Sequence, residues 1–521
     1  GWSEGRFDPF TENDIMSHDA AYLTAETQRA RLDNLVWAAD VEAARRQMAR
    51  VDRHAVAIAR ARLALQQGLS RAHRLLVGLA GSADAGLLFD WARALREAHH
   101  EDEAHAMLLR IDASVIAGAH TTQWWNEVAI EAREAMADGN PRLALELVDR
   151  ADIPLGDQYA GQQFLAGFIS LRLLKDPARA LIYFRRLGAS VSRPISKSRA
   201  EYWQGRAYET QGDRTDADRA YRLAALYPDT FYGQLALSRT EPAPMLHLAD
   251  TQVKAVPKSE IQDDLLMPEI RVLADLDQET YLRLFAERQA ELKSSPGHLK
   301  AFLQSLSDWG FAGIAVRVAK QSAYAGVPMP NFAYPLLSLP SYPASGAAPE
   351  PALILALIRQ ETEFDPEAVS SAGAMGLMQV MLSAAKGSAK MAGLRYRPGD
   401  LLIDADYNIQ LGMIQFESNY AGEQGSLVMA IAAYNAGHGN VRKWLAANGD
   451  PRRGATDMID WIEEIPFGET RNYVERVIEN MEVYKSRLAA GGAPLTILAD
   501  LYRPEAPPAM TPLLPQGART N

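Results

Sequence analysis

What most limits how this chain can fold is a polar break that recurs through an otherwise helical pattern. From about residue 20 to 335, Ala, Leu and Arg dominate, apolar residues return every three or four positions, and β-branched alternation is scarce. That is the periodicity of amphipathic helices. The breaks are His100-Glu101-Asp102, Asp138-Gly139-Asn140-Pro141, Lys175-Asp176-Pro177 and Gln211-Gly212-Asp213, and their aspartates stand 36, 38 and 37 residues apart. An Ala-rich helix start follows each, as in Pro177-Ala178-Arg179-Ala180-Leu181. Helical units of this length bury their apolar faces only against their neighbours, so the period predicts stacked hairpins. The expected architecture is all-α: a superhelix of helical hairpins, open or closed into a ring, with no β-sheet domain in that span.

Around Trp203, Gly205, Ala207, Tyr208 and Ala220-Tyr221 the pattern resembles a tetratricopeptide-type unit, in which small residues let two helices approach. Proline-rich interruptions at 240–260 (Pro242, Pro244, Pro257) and 325–350 (Pro328, Pro330, Pro335, Pro340, Pro343, Pro349) mark boundaries, because proline lacks the backbone donor and forces its predecessor out of helical geometry. The expected domains are therefore a superhelical 1–245, a smaller helical 246–340, a glycine- and motif-rich 341–490, and a poorly ordered tail at 491–521 with Pro504, Pro507, Pro508, Pro512 and Pro515.

Composition excludes several functions. The net charge of −11, without a long Lys/Arg block, would repel nucleic-acid phosphates. The absence of cysteine rules out disulfides, Cys-bound zinc and thiol catalysis. No apolar run reaches membrane-spanning length, and the opening Gly1-Trp2-Ser3-Glu4 fits either a cytoplasmic protein or one whose export signal has been removed. His99, His100 and His105, in a turn with Glu101, Asp102 and Glu103, read as a solvated face rather than a metal site. Trp124-Trp125 reads as helix packing, and Arg45-Arg46 after Glu42 as surface ion pairing.

The residue that stands out is Glu361. A helix starting near Pro349 or Pro351 and running to about Phe364 has apolar positions Leu353, Ile354, Leu357 and Ile358, and steps of three and four from these reach Glu361. The carboxylate thus continues the buried stripe, while Glu363 points away. Such a group is either neutralised by an arginine, solvated at a fraying end, or desolvated and held protonated as a proton donor. The helix alone leaves these open. Four pieces follow it in order: Ser370 and Gly373 to Met381 including Gln379; Ala432 to Gly437 including Tyr434 and Asn435; Glu463-Glu464-Ile465-Pro466-Phe467; and Glu469-Thr470-Arg471-Asn472-Tyr473-Val474. Aromatic rings, amides and acids in that order are the inventory of a carbohydrate groove.

These motifs resemble those of the soluble lytic transglycosylases, whose catalytic domains share a goose-type lysozyme fold. The family's Glu-Ser helix end, Gly-Leu-Met-Gln turn, Ala-Tyr-Asn-Ala-Gly segment and Glu-x-Ile-Pro-Phe…Glu-Thr-Arg-x-Tyr-Val stretch are similar to Glu361-Thr362, Gly376 to Gln379, Ala433 to Gly437 and Glu463 to Val474. Upstream, Tyr227 to Ala236 is similar to the segment that closes the helical domain of the large soluble members. The resemblance implies a lysozyme-like, mostly helical catalytic domain and cleavage of the MurNAc-GlcNAc β-1,4 bond of peptidoglycan to 1,6-anhydro ends. It implies Glu361 as single acid/base, with Ser370, Gln379, Met381, Tyr434, Asn435 and Glu463 around the cut bond. It implies neither metal nor organic cofactor, and a periplasmic location with the export signal absent from this sequence. The departures are Thr362 for serine, Met381-Leu382-Ser383-Ala384-Ala385 without the usual Pro and Thr, and Asp404-Ala405 without another Pro. Two rivals are a hydrolytic muramidase, with Glu463 or Asp404 as second carboxylate, and a non-catalytic peptidoglycan-binding scaffold.

Overall fold

The computed structural model describes residues 1–248, 253–292, 295–343, 348–454, 456–489 and 492–502. Nearly all regular structure among them is helical. Strand pairing is confined to Met245–Leu246 against Ala493–Pro494 and to bridges at Val369–Met375 and Met375–Val380. No described helix is long and apolar enough to cross a membrane. The chain forms two compact units, Gly1–Ser190 and Val191–Asn521.

In the first unit the polar breaks are helix-to-helix turns, as the period predicts. His99, Gly139 and Lys175 adopt left-handed φ values of 59°, 73° and 56°, which ends one helix and redirects the chain. The side chains of Asn140 and Asp176 then accept from Leu143 N at 3.3 Å and Arg179 N at 3.0 Å, capping the next helix. Leu88, Phe89, Trp124, Val128, Leu145, Val148, Leu165 and Ile169 share one core. Trp124 is buried, its indole N–H donating to Ala151 O at 2.8 Å, as the packing reading requires. His105 departs from the solvated face expected of it: it is 4% exposed, with Nε2 2.9 Å from Glu131 Oε2. It sits on the inward side of Glu101–Leu108, whereas His99 and His100 stay exposed. Arg46 likewise turns inward to Glu12 at 2.8 Å, leaving Arg45 with Glu42 at 2.6 Å on the surface.

The second unit opens with the hairpin Pro194–Gln211 and Arg214–Ala224, followed by Phe231–Thr240. Gly212 is left-handed (φ 81°) and Asp213 accepts from Asp216 N at 3.0 Å, repeating the same turn. A Cβ on Gly205 would lie 2.5 Å from the Tyr221 ring, so the missing side chain is what lets these helices meet. Five helices between Lys258 and Tyr324 come next. Then comes Pro351–Thr362, in which every residue from Ala352 to Ile358 is buried, packed chiefly on the long helix Gly468–Leu488.

Two expectations change here. The Glu361 helix ends at Thr362, not near Phe364, because Glu363 and Phe364 both take left-handed conformations (φ 53° and 71°). Glu363 is held there by Lys320 and by Arg317 at 3.0 Å. The tail expected from 491 is ordered at its start: Ile497–Leu501 is a short helix with Ile497 and Leu501 buried, and Thr496 N donates to Glu482 Oε2 at 2.8 Å. Three apolar side chains and Asp500, which pairs with Lys485, anchor it. Residues 503–521, with the remaining prolines, lie outside the described residues.

Gly205 offers a test of the hairpin packing. Gly→Ala within a helix ordinarily stabilises by about 1 kcal/mol, but Gly205→Ala must displace the Tyr221 ring, which is pinned by its hydroxyl to Glu209 at 2.9 Å. Overpacking costs about 1–3 kcal/mol, so the expected sign is reversed, and calorimetry of Gly205→Ala should show a lower Tm than the parent.

Candidate active site

Because the Pro351–Thr362 helix is enclosed, its first opportunities to place polar groups are in the last turn. Arg359 is spent on structure, donating to Ala333 O at 2.8 Å and Asn480 Oδ1 at 2.7 Å and stacking 4.0 Å over Tyr334. Glu361 follows, half-buried. Tyr473, from the first half of the 468–488 helix, donates its hydroxyl to Glu361 Oε1 at 2.5 Å. Thr362 is buried, with Oγ1 3.1 Å from Leu377 O, tying the helix end to the Gly376–Gln379 turn. The methyl of Thr362 in place of serine is accommodated without loss of that hydroxyl's partner.

The turn itself is built around Asn408. Its Oδ1 accepts from Met378 N at 2.9 Å, and its Nδ2 donates to Met375 O and Leu401 O at 2.8 and 3.0 Å. Gly376 is left-handed (φ 71°), and a Cβ there would meet Asn408 Nδ2 and Leu401 O at 2.4 Å. Glycine is obligatory on both counts. Tyr434 closes the other side, donating to Met378 O at 2.9 Å.

Burial pushes the Glu361 carboxyl up to about 7; the Tyr473 hydrogen bond opposes this and the nearby Glu469 charge adds to it. Tyr434 and Tyr473 are both held well above the usual phenol range, by burial first and then by the Glu361 charge. Three other carboxyls are also pushed up to about 7 by burial. Glu479 and Glu482 are almost fully enclosed and lie 3.0 and 2.7 Å from Arg476 and Lys485. Glu134 lies in the first unit beside Glu131 and Arg96. Glu361 alone of the four combines a raised pKa, contact with solvent and a phenol rather than a cation as partner.

The anticipated residues divide. Tyr434 feels the Glu361 charge and donates into the Gly376–Gln379 turn, which Thr362 ties to the end of the Glu361 helix. Gln379 uses its amide N–H groups inside the turn, toward Ala368 O at 3.0 Å and Gly376 O at 3.1 Å. Ser370 Oγ caps the preceding loop by accepting from Ala374 N at 3.0 Å. Met381 is 40% exposed at the start of Leu382–Met391. Asn435 is turned to Thr470, 2.6 Å away. Glu463 is not on the site's surface: it is 0% exposed, enclosed by Arg199, Tyr232 and Arg471. Asp404 caps Ala405–Gly422 through Tyr407 N at 3.0 Å and pairs with Arg397 at 3.3 Å. Sequence reasoning overlooked Tyr473, Asn408 and the exposed Glu469. Tyr473 and Glu469 both lie in the stretch already singled out; their spacing of four puts them on one helix face, a signal that was available.

A concavity of about 800 Å³ opens in the first unit and is lined by Arg29, Asp33, Asp52, His54, Arg62 and Asp84 among others. Its arginines are already paired, Arg29 with Asp52 and Arg62 with Asp33 and Asp90.

The described residues thus form a largely helical protein that carries, at the end of an enclosed helix, a partly solvent-accessible glutamic acid held by a phenol. The family profile described as Transglycosylase SLT domain matches residues 341–455. The soluble lytic murein transglycosylases of Salmonella typhimurium and Escherichia coli K12 are each 36% identical to this chain over 132 residues, 25% of this chain and 20% of theirs. The chain thus matches about a fifth of the length of these curated relatives. The lytic transglycosylase Slt of Pseudomonas aeruginosa, solved as an inactive mutant, superposes with a TM-score of 0.72 at 22% identity, over 95% of this chain and 78% of that one. The 70 kDa soluble lytic transglycosylase of Escherichia coli gives 0.68 at 19%, over 96% and 78%. Residues 341–455 thus match the transglycosylase SLT domain, and the fold is similar to that of the soluble lytic transglycosylases.

The raised carboxyl has a thermodynamic consequence. A group that binds its proton more tightly when folded adds stability below its unfolded pKa and loses it as pH rises through the folded value. For Glu361 the window runs from 4.5 to about 7. Glu361→Gln should therefore melt like the parent near pH 4 and be more stable at pH 8, by up to about 3 kcal/mol. Equal melting shifts at both pH values would show that the carboxyl is not desolvated.

Proposed function

We propose that this chain is a peptidoglycan lytic transglycosylase, acting outside the cytoplasmic membrane, with Glu361 as its single acid/base. The observation that carries the reading is the Glu361 carboxyl itself: raised to about 7, reachable by solvent, and oriented through Oε1 by Tyr473. At neutral pH a large fraction is protonated, as a general acid must be. In the first half of the reaction this carboxyl gives its proton to the bridging oxygen between MurNAc and GlcNAc as the C1–O bond breaks. The resulting carboxylate then takes the proton of the MurNAc 6-hydroxyl, whose oxygen bonds to C1. The product is the 1,6-anhydro sugar; the acid is regenerated and no water is consumed. One group serves both halves, which fits a site where Glu463 is enclosed and Asp404 is committed to a helix cap. The SLT domain match and the names of the curated relatives support peptidoglycan as substrate.

Glu469 favours one second reading. It is exposed, and its charge is felt at Glu361, so it is the carboxylate that would activate water in a hydrolytic muramidase. Mass spectrometry of muropeptides released from purified sacculi separates the two, because the anhydro product is one water lighter.

Glu361→Gln keeps shape and acceptor but cannot shuttle a proton. Loss of general acid–base catalysis costs about 10²–10⁴-fold, so release of anhydromuropeptides should fall at least that far. Glu363→Gln, whose carboxylate is bound to Arg317 and Lys320, should keep most activity. Parental activity should decline above about pH 7 as Glu361 loses its proton. Equal activities in the two variants would refute the assignment.

A further inference from the structure

The 468–488 helix has two opposed faces. Glu469 and Tyr473, four residues apart, serve Glu361; Arg471, Glu475 and Glu479, also at steps of four, lie on the other side. That second face is enclosed by groups from far upstream. Arg199, on Pro194–Gln211, places Nε 3.1 Å from Glu463 Oε1 and bonds Oε2 through Nη2. Tyr232, on Phe231–Thr240, donates its hydroxyl to Glu463 and lies 3.5 Å from Glu475 Oε1. Arg471 places Nε 3.7 Å from Glu463 Oε2 and donates through Nη1 to Ile465 O at 2.7 Å. Glu479 Oε2 accepts from Phe231 N at 2.6 Å, and its carbonyl accepts from Gln234 Nε2 at 3.0 Å. Glu463 is the penultimate residue of the short helix Met458–Glu464, and only Ile465-Pro466-Phe467 separates that helix from the first turns of Gly468–Leu488, which carry Glu469, Thr470 and Tyr473.

We infer that Arg199 and Tyr232 are positioning residues for catalysis: by gripping Glu463 from helices outside the SLT domain, they fix the first turns of the 468–488 helix and hence the Tyr473 hydroxyl on Glu361. This rests on Glu361 being the acid. A buried ion pair is a poor source of net stability, since desolvation cancels most of its attraction. It is highly directional, however, because a guanidinium fork meets a carboxylate in one geometry. A 2.5 Å hydrogen bond at the far side of the same helix is sensitive to just that directionality.

The test is steady-state kinetics of the full chain on soluble uncross-linked glycan strands, with melting followed in parallel. Arg199→Met and the milder Tyr232→Phe should lower kcat, by up to roughly 100-fold for the first, with KM within about twofold. In a Tyr473→Phe background each should add less than about twofold, because contributions that pass through one group do not add. Lys485→Met, which breaks the pair with Asp500 at the other end of the same helix, should lower Tm and leave kcat intact. Should Arg199→Met fail to fold, Tyr232→Phe carries the comparison. A folded Tyr232→Phe with parental kcat, losses that multiply with Tyr473→Phe, or an equal loss in Lys485→Met would overturn the inference. An active Glu361→Gln would instead overturn the assignment of the acid.

Discussion

The enclosure of the Pro351–Thr362 helix governs the site. A helix buried on every side from Ala352 to Ile358 cannot hold an ionised side chain without a partner. The first groups beyond that stretch are therefore each matched to something: Arg359 to Ala333, Asn480 and the Tyr334 ring, Thr362 to Leu377, Glu361 to Tyr473. The same enclosure that packs the helix on every side also partly desolvates Glu361. Rigidity and a raised pKa are two results of one packing arrangement.

Burial raises Glu361, Glu479 and Glu482 alike, and what separates them is the partner and the contact with solvent. Glu482 and Glu479 lie deeper than Glu361 and have cations close by; Glu463 has two arginines and a phenol around it. Those are structural joints. Glu361 is raised by burial, meets a single phenol on one oxygen and keeps contact with solvent, so its proton can reach a ligand. The 468–488 helix carries both kinds of chemistry on opposite faces, and the joint on one side steadies the donor on the other.

The stacked hairpins use local rules that need no long-range contact. A left-handed residue ends a helix, an Asn or Asp caps the next, and a small residue permits the approach, as at Gly212, Asp213 and Gly205. Residues filling such roles are recognisable in a single sequence because backbone geometry dictates their type. His105 departs from the solvated face for the complementary reason: its neighbours in sequence are polar, but the inward side of the Glu101–Leu108 helix presses it against Glu131.

The amino-acid sequence by itself determined the all-helical character, the positions of the hairpin turns and the place of Glu361 at the end of an apolar helix. Each of these follows from periodicity or from the steric demands of a few consecutive residues. It also named Tyr434 and the Gln379 turn, through motifs that resemble those of the soluble lytic transglycosylases. Only the tertiary structure decided that Glu463 faces Arg199 and Tyr232 instead of the site, that Tyr473 rather than any cation meets Glu361, and that Asn408 closes the turn. These choices join residues 30, 112 and 264 positions apart, or turn on which of two helix faces is enclosed. Burial, and with it the charge state of a carboxyl, is a property of the surrounding chain, and local sequence does not specify it.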